Sequence, residues 1–325
     1  MKLMSRLLSA AALTAAMCLQ SVSAAYPDKA VSFVVPFPPG GRTDLVGRLF
    51  AQHVAKHLGQ PAVVVNKAGA GGVLGAREVA VAAPDGYTLG VFSTATLTSQ
   101  YTVPTPTDLG NYEAVGVINL DPMALAVNAD GPWKRIEDLV DYARKNPGKL
   151  RVGMIPGASA QIFAAAFANA AGVKVLYVPF KGDSDGAAAL AGGHIDAHVA
   201  VPASYKALSD AGKVKMLAVA SDARLTSYRD VPTFRESGVD LVIGSFHIVC
   251  APKGTPPEVL KQLEEATGKT MREPELMTLM ESSGLGYANM NRKDTNIFLG
   301  QQDAVYRKVI DDVGLRVSPQ TAQQK

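Results

Sequence analysis

Residues 31–44 read VSFVVPFPPGGRTD, and this stretch decides the fold. The apolar run before Pro36 predicts a β-strand, residues 38–41 predict a tight loop, and Thr43 and Asp44 open a segment whose apolar residues recur at helical spacing. Two glycines let the loop approach a ligand closely, and the first turn of a helix presents unpaired N–H groups with partial positive charge. The stretch therefore predicts strand, anion-binding loop and helix, although many such turns contain glycine for geometry alone.

The same design recurs along the chain. Apolar runs at 62–65, 150–154 and 175–178 are each followed by a loop of small residues and a predicted helix, and the run at 87–92 ends in a hydroxyl-rich segment. Strands that alternate with helices in this way predict an α/β fold in which each sheet is mostly parallel and flanked by helices. A chain of 325 residues usually divides into two domains.

The connections between the two predicted domains can be placed. Strand-like runs on both sides of Asp121 and Pro122 mark the first crossing, and an extended segment at 243–249 returns the chain to the first domain. We therefore expect domain 1 to comprise residues 26–121 and 248–325, and domain 2 to comprise residues 122–247.

Residues 1–25 predict a cleavable secretory signal. Lys2 and Arg6 precede an apolar stretch, and small residues precede position 26. Cys18 follows Met17, whereas lipid-attachment sites generally need a small residue before the cysteine, so we expect a free exported protein and not a lipoprotein.

Charge and cysteine content exclude several other classes. The chain has 32 Lys and Arg against 29 Asp and Glu, and loss of the signal would remove two of the basic residues, leaving 30 against 29. Because no basic cluster with interleaved aromatic residues occurs, we expect no nucleic-acid partner. Cys250 would be the one cysteine of the exported chain, so no intramolecular disulfide can form, and we expect a buried thiol.

Loops at the predicted carboxyl ends of strands in both halves combine glycine, hydroxyl and charged residues. Ligands of open α/β sheets bind outside these strand ends. One helix terminus contributes about 0.3–1 kcal/mol to anion binding, whereas micromolar affinity requires about 8 kcal/mol. The sequence therefore favours one carboxylate site that several loops build together. These loops are Gly40, Gly41, Arg42 and Thr43; residues 69–72; Ser93 and Thr94; Gly157, Ala158 and Ser159; and Lys181, Gly182, Asp183 and Ser184.

Catalytic and metal readings are weak. Ser159 lacks the Gly-x-Ser-x-Gly elbow. His53 and His57 have metal-ligand spacing, but a glutamate is missing after the first histidine, so solvated helix histidines are favoured. His198, with His194, is expected at the rim of the core, and Asp183 suits a helix cap as well as a ligand contact. We therefore expect no enzyme, no metal and no cofactor.

The chain resembles the Bug-type solute-binding proteins of tripartite tricarboxylate transporters along nearly its whole exported length. The resemblance is carried by several short motifs, which together are specific. They are Tyr26-Pro27, PFPPGG at 36–41 with Asp44, VVN at 64–66 followed by GAGG at 69–72, PDGYTL at 84–89, Pro179 with Lys181-Gly182, VPT at 231–233, Glu236 with Gly238, and Ala251-Pro252 with GTP at 254–256.

The resemblance implies a two-domain periplasmic-binding-protein fold of the Venus-flytrap type. It implies a monomeric periplasmic receptor that closes on a small di- or tricarboxylate or related organic acid and delivers it to the membrane permease subunits of a tripartite transporter. A receptor that feeds a sensory partner is the alternative. The carboxylates would be held largely by main-chain amides and waters. The matching positions are Pro39, Gly40, Gly41, Arg42, Thr43, Asp44, Gly69, Ala70, Gly71, Gly72, Ser93, Thr94, Gly157, Ala158 and Ser159, with further contacts from Lys181, Gly182, Asp183 and Ser184.

Departures from the family pattern leave the ligand open. Phe180 and Phe246 stand where Tyr and Trp are common, residues 157–161 lack the usual Gly-x-Gly-Ser and nearby His, and Arg42 replaces a small residue. Citrate-like tricarboxylates, C4 dicarboxylates, acidic amino acids, aromatic carboxylates and an uncharged vitamin-like molecule all stay candidates. We hypothesise that Arg42 contacts a carboxylate or closes the pocket mouth, the alternative being a solvated surface arginine.

Overall fold

The computed structural model describes residues 26–103, 108–155, 159–312 and 314–317, and these form two mixed sheets flanked by helices. The predicted signal at 1–25 lies outside these residues. The strands are β1 (Val31–Val35), β2 (Ala62–Asn66), β3 (Thr88–Ser93), β4 (Tyr112–Pro122), β5 (Ala124–Asn128), β6 (Leu150–Met154), β7 (Val175–Pro179), β8 (Ala197–Ala200), β9 (Val214–Val219) and β10 (Gly244–Pro252). The helices are α1 (Arg42–Leu58), α2 (Val73–Ala80), α3 (Thr94–Thr102), α4 (Ile136–Lys145), α5 (Ser159–Ala170), α6 (Asp183–Ala191), α7 (Lys206–Asp210), α8 (Pro257–Thr270), α9 (Pro274–Ser282) and α10 (Arg292–Asp312).

The first sheet has the strand order β2-β1-β3-β10-β4. β1 is parallel to β2 and β3, whereas β10 is antiparallel to both β3 and β4. Four strands therefore run in one direction and one is reversed. The carboxyl ends of these four strands lie at one edge, where β10 begins with Gly244 opposite Pro122.

The second sheet repeats this plan with the order β7-β6-β8-β5-β9. β6 is parallel to β7 and β8, and β5 is the reversed strand between β8 and β9. The two-domain α/β class with mostly parallel sheets is confirmed. The exact domain boundaries at 121/122 and 247/248 stay a prediction.

The two sheets are joined where their parallel strands end, which we call the carboxyl-end edge of each sheet. β4 continues through Met123 directly into β5, and the chain returns from β9 to β10 through residues 220–243. These two connections are hydrogen-bonded to each other, since the Ala220 N–H donates to the Met123 carbonyl at 2.8 Å and the Met123 N–H donates to the Ile243 carbonyl at 3.3 Å. The loops at both edges therefore face each other across a cleft.

The C-terminal helix α10 ties the two domains together. It packs against α5, and buried aromatic side chains from both domains, among them Phe92, Phe163 and Tyr306, belong to one apolar cluster. Phe234, in the returning connection, lies 5.6 Å from Phe163 and 5.9 Å from Phe167 between ring centroids. The buried Tyr306 hydroxyl of α10 donates to the Gly244 carbonyl at 2.6 Å.

Two helical segments were not expected from the sequence. Residues 94–102, TATLTSQYT, form α3 where we predicted only a hydroxyl-rich strand end, and a 3₁₀ turn at Pro202–Tyr205 leads into α7. Threonine and serine have low helix propensity. In α3 several hydroxyls donate to carbonyls within the helix, such as Ser99 to Thr96 at 2.7 Å, and contacts with α10 stabilise it. Tertiary packing has overridden local propensity here.

No helix in the part of the chain that the structure describes combines the length and the apolarity needed to cross a bilayer.

Substitutions at two glycines test the packing beside the crossing. A Cβ at Gly286 would lie 2.0 Å from the Leu120 carbonyl oxygen, whereas a Cβ at Gly300, inside α10, meets open space. We expect Gly286→Ala to destabilise the protein by about 1–3 kcal/mol because β4 must move. Gly300→Ala, the matched control, should stabilise it by up to about 1 kcal/mol through helix propensity. Urea unfolding measures both, and equal stabilities would contradict this packing.

Candidate ligand cleft between the two sheets

The loop at residues 38–44 forms what we call the first corner of the cleft, and the Asp44 side chain fixes its conformation. Its buried carboxylate, 3% exposed, accepts hydrogen bonds from the Gly40 N–H at 2.9 Å, from Arg48 Nε at 2.9 Å and from Asn66 Nδ2 at 2.8 Å. Burial raises the pKa of Asp44, but the hydrogen bonds from Arg48, Gly40 and Asn66 outweigh burial and hold the pKa below its ordinary value. The side chain is therefore occupied in fixing the loop. Any ligand contact at this corner would come from N–H groups of the first turn of α1, which follows the exposed Pro39, Gly40 and Gly41.

The loop at residues 69–72 forms the second corner of the cleft, and its four residues all have positive φ angles. The φ angles are 144° at Gly69, 46° at Ala70, 66° at Gly71 and 97° at Gly72, and Ala70 is the sole non-glycine with positive φ among the residues described. Such backbone is sparsely populated and is often found at ligand sites. A Cβ at Gly72 would lie 3.1 Å from the Phe37 ring, so this corner packs directly against the first.

Two of the hydroxyl groups at predicted ligand-binding positions already contact other groups of the protein. Thr94 Oγ1 accepts from the Phe246 N–H at 2.9 Å, and Thr43 Oγ1 lies 3.1 Å from His247 Nε2. Burial, reinforced by the charge of Arg42, lowers the pKa of His247 to about 3. Ser93 occupies the N-cap position of α3 without bonding a helix N–H through its side chain. Thr43 and Thr94 can therefore offer a ligand chiefly their backbone N–H groups.

Arg42 lies between the first corner and the crossing. Its Nε is 3.0 Å and its Nη2 2.6 Å from Asp121 Oδ2, and Nη2 also donates to the Gly284 carbonyl at 3.1 Å. The Asp121 side chain is 4% exposed and that of Arg42 is 32% exposed. Arg42 is therefore not a freely solvated surface arginine, because the nearly buried Asp121 carboxylate holds it against the crossing.

The second sheet contributes the opposite wall. Ser159 begins α5, Lys181 is exposed, Gly182 is the N-cap of α6, and Asp183 accepts a hydrogen bond from Ser204 Oγ at 3.0 Å. Ser184 is exposed. The predicted site residues Gly157 and Ala158 lie outside the described residues. Whether these positions bind a ligand stays a prediction.

The histidines suggested as metal ligands have structural partners. His53 Nδ1 lies 2.5 Å and His57 Nε2 2.7 Å from Glu273, and Lys56 Nζ lies 3.3 Å from the same carboxylate. Within the described ranges, one group of potential ligand atoms lies close together, formed by His53, Glu273 and Glu275, and the Lys56 ammonium supplies it with positive charge. Because His53 is 1% exposed, the expectation of a solvated histidine is wrong for this residue.

His198 and Cys250 are core residues. The His198 ring packs against Gly186, where a Cβ would lie 2.2 Å from Nε2, and burial lowers the pKa of His198 to about 4. Burial raises the pKa of the Cys250 thiol, which confirms the expected buried thiol. The thiol borders a largely apolar cavity of about 210 Å³ between the sheet and α10, at the strand ends remote from the crossing.

Comparisons with known proteins agree with this architecture. A family model described as tripartite tricarboxylate transporter family receptor matches residues 46–315. A TctC solute-binding protein from Polaromonas, solved without ligand, is 34% identical with a TM-score of 0.83, and the match covers 88% of this chain and 99% of that one. An R. palustris protein solved with adipate is 28% identical, with a TM-score of 0.73 and 89% and 98% coverage. MatC from Rhodopseudomonas palustris, solved with malate, is 27% identical, with a TM-score of 0.68 and 88% and 100% coverage.

The substitution Asp44→Asn tests the role of the Asp44 carboxylate in holding the first corner. Because the folded-state pKa of Asp44 is lowered, its stabilisation is present above the unfolded pKa of about 4 and is lost as pH falls through the folded value. We expect Asp44→Asn to cost about 1–3 kcal/mol at pH 7, with the deficit shrinking towards pH 3. Urea unfolding at both pH values measures this. The control Asp185→Asn, at an exposed position, should stay within about 0.5 kcal/mol of the parent. If the Asp44→Asn and parent proteins had the same free energy of unfolding at pH 7, the structural role of Asp44 would be contradicted.

A double-mutant cycle tests the Arg42–Asp121 pair. Arg42→Ala should cost about 1–3 kcal/mol because it leaves the nearly buried Asp121 carboxylate without its cation. Asp121→Asn should cost less in the Arg42→Ala background than in the parent protein. Additive free energies of unfolding would show that the two side chains do not interact.

Proposed function

This chain belongs to the tripartite tricarboxylate transporter receptor family, and we propose that it captures a small organic carboxylate in the cleft between its two domains. The proteins of this family and the solved neighbours are solute-binding receptors and not enzymes. We further propose that residues 1–25 direct export to the periplasm and that the receptor delivers its ligand to the permease subunits of a tripartite transporter.

The observation that carries the proposal is the meeting of helix N-termini from both domains. α1 and α3 begin at the carboxyl-end edge of the first sheet, and α5 and α6 begin at the facing edge of the second. Each terminus contributes roughly 0.3–1 kcal/mol to binding an anion, or up to about 2 kcal/mol when partly buried. Several termini acting together with hydrogen bonds to charged oxygens can approach the roughly 8 kcal/mol of a micromolar complex.

Two relatives support a carboxylate as the ligand class. The R. palustris protein and MatC hold adipate and malate, which are both small dicarboxylic acids. A dianion suits a cleft in which backbone donors are contributed from two sides, because each wall can hold one carboxylate. The family match also favours delivery to a permease over the alternative sensory partner.

A thermal-shift screen of carboxylates tests the proposal. The exported form, residues 26–325, is heated with di- and tricarboxylates, acidic amino acids and aromatic carboxylates. A ligand at 100 times its dissociation constant should stabilise the fold by about 2.7 kcal/mol and raise the melting temperature by several degrees.

Neutral diesters of the active compounds are the matched control, and they should give no shift. A screen in which no carboxylate stabilises the protein, or in which the diesters act equally well, would contradict a carboxylate receptor. For the delivery step, deletion of the gene should abolish uptake of the carboxylate that binds. Unchanged uptake would argue for a sensory partner.

A further inference from the structure

Asp183 has an unused acceptor at the edge of the cleft. Its Oδ2 accepts from Ser204 Oγ at 3.0 Å, whereas Oδ1 has no hydrogen-bond partner among the described residues and is not sealed from solvent. The side chain is partly buried in the first turn of α6. Because the side chain is partly buried, Oδ1 is less fully hydrated than the oxygen of an exposed carboxylate, and a donor brought by a ligand would compensate for that.

Asp183 and Arg42 approach each other from opposite walls. Arg42 donates to the Gly284 carbonyl, and a Cβ at Gly284 would lie 2.6 Å from Ala203 Cβ, next to the Ser204 that holds Asp183. The residues that hold Arg42 and Asp183 are therefore neighbours across the contact of Gly284 with Ala203. Burial raises the pKa of Asp183, and the nearby charge of Arg42 opposes that rise.

The local charge balance is unfavourable to a ligand that carries carboxylates alone. Arg42 is already paired with Asp121 at 2.6 Å, so its charge is largely compensated before a ligand arrives. Asp183 then adds a second negative charge to this group of three side chains. Lys181 and Asp185, on the same turn as Asp183, are exposed to solvent and opposite in charge, so they change the balance little.

We propose that Asp183 is a specificity residue that selects carboxylates bearing a hydroxyl or ammonium donor over the same carboxylates without one. The donor would bind Asp183 Oδ1, while the carboxylates bind the backbone donors of the helix N-termini. A site built around an acceptor rejects the analogue that lacks the donor, and the unpaired negative charge adds repulsion against a further carboxylate. The inference rests on the proposed function, because it assigns selectivity within the same cleft.

Matched series of acids test this assignment. Calorimetric titration of the exported protein uses succinate, L-malate and L-aspartate, which differ by hydrogen, hydroxyl and ammonium at one carbon. Glutarate with 2-hydroxyglutarate and L-glutamate, and tricarballylate with citrate, extend the comparison to longer and more highly charged ligands. In whichever series fits the cleft, we expect the donor-bearing acid to bind about tenfold or more tightly than its parent acid.

The variant Asp183→Asn should reverse part of this preference. It removes the charge and keeps the size, so the parent acid should bind more tightly and the ammonium-bearing acid more weakly than in the unsubstituted protein. A hydroxyl ligand would retain an acceptor in the asparagine carbonyl, so a small loss for malate with a large loss for aspartate would identify ammonium as the donor. Asp185→Asn on the same turn is the matched control and should leave every ratio unchanged. Asp183→Ser is the second variant, should Asp183→Asn fail to fold.

Two results distinguish failure of the specificity role of Asp183 from failure of the receptor proposal. If carboxylates bind but the ratio of donor-bearing to parent acid is the same in the unsubstituted protein and in Asp183→Asn, the specificity role is overturned and the receptor proposal stands. If no acid of any series binds the folded, unsubstituted protein, the carboxylate receptor fails, and the role of Asp183 fails with it.

Discussion

The arrangement of the whole molecule depends on the short hydrogen-bonded crossing between the two sheets. Met123 joins β4 to β5 with no intervening loop, and its N–H and carbonyl bond to Ile243 at 3.3 Å and to Ala220 at 2.8 Å in the returning connection. Because both chain crossings are fixed to each other at the strand ends, the carboxyl-end edges of the two sheets must face one another. Every loop that follows a parallel strand then opens towards one cleft, and the helix N-termini with their partial positive charge come with it.

Charged side chains at this crossing fix the backbone that borders the cleft. Asp121 is the next-to-last residue of β4, and its carboxylate accepts from Arg42 and from the Gly286 N–H. The first turn of α1 is thereby tied to the strand that leads into the other domain. Asp44 fixes the same turn from the opposite side through Gly40. The loop before α1 and the first turn of α1 are therefore held in place by two carboxylates that are nearly buried and already hydrogen-bonded within the protein.

Most strands and helices could be predicted from the sequence because an apolar run followed by small residues and an amphipathic segment is a local signal. Partners distant in sequence carry no such signal. Arg42 and Asp121 are 79 residues apart, and His53 and Glu273 are 220 apart. The ion pair of Arg42 with Asp121 and the burial of His53 were therefore missed, and so was the role of the Asp44 side chain in fixing its loop. α3 was missed for another reason, because its threonines favour extended backbone and only packing against α10 makes them helical.

We infer that peptide N–H groups from both domains hold the ligand, and a crystal structure with the most stabilising carboxylate tests this most directly. We expect ligand oxygens within about 3.2 Å of N–H groups in the first turn of α1 on one wall and of α5 or α6 on the other. A carboxylate bound in the cavity beside Cys250, or held by the side chains of one domain alone, would contradict it.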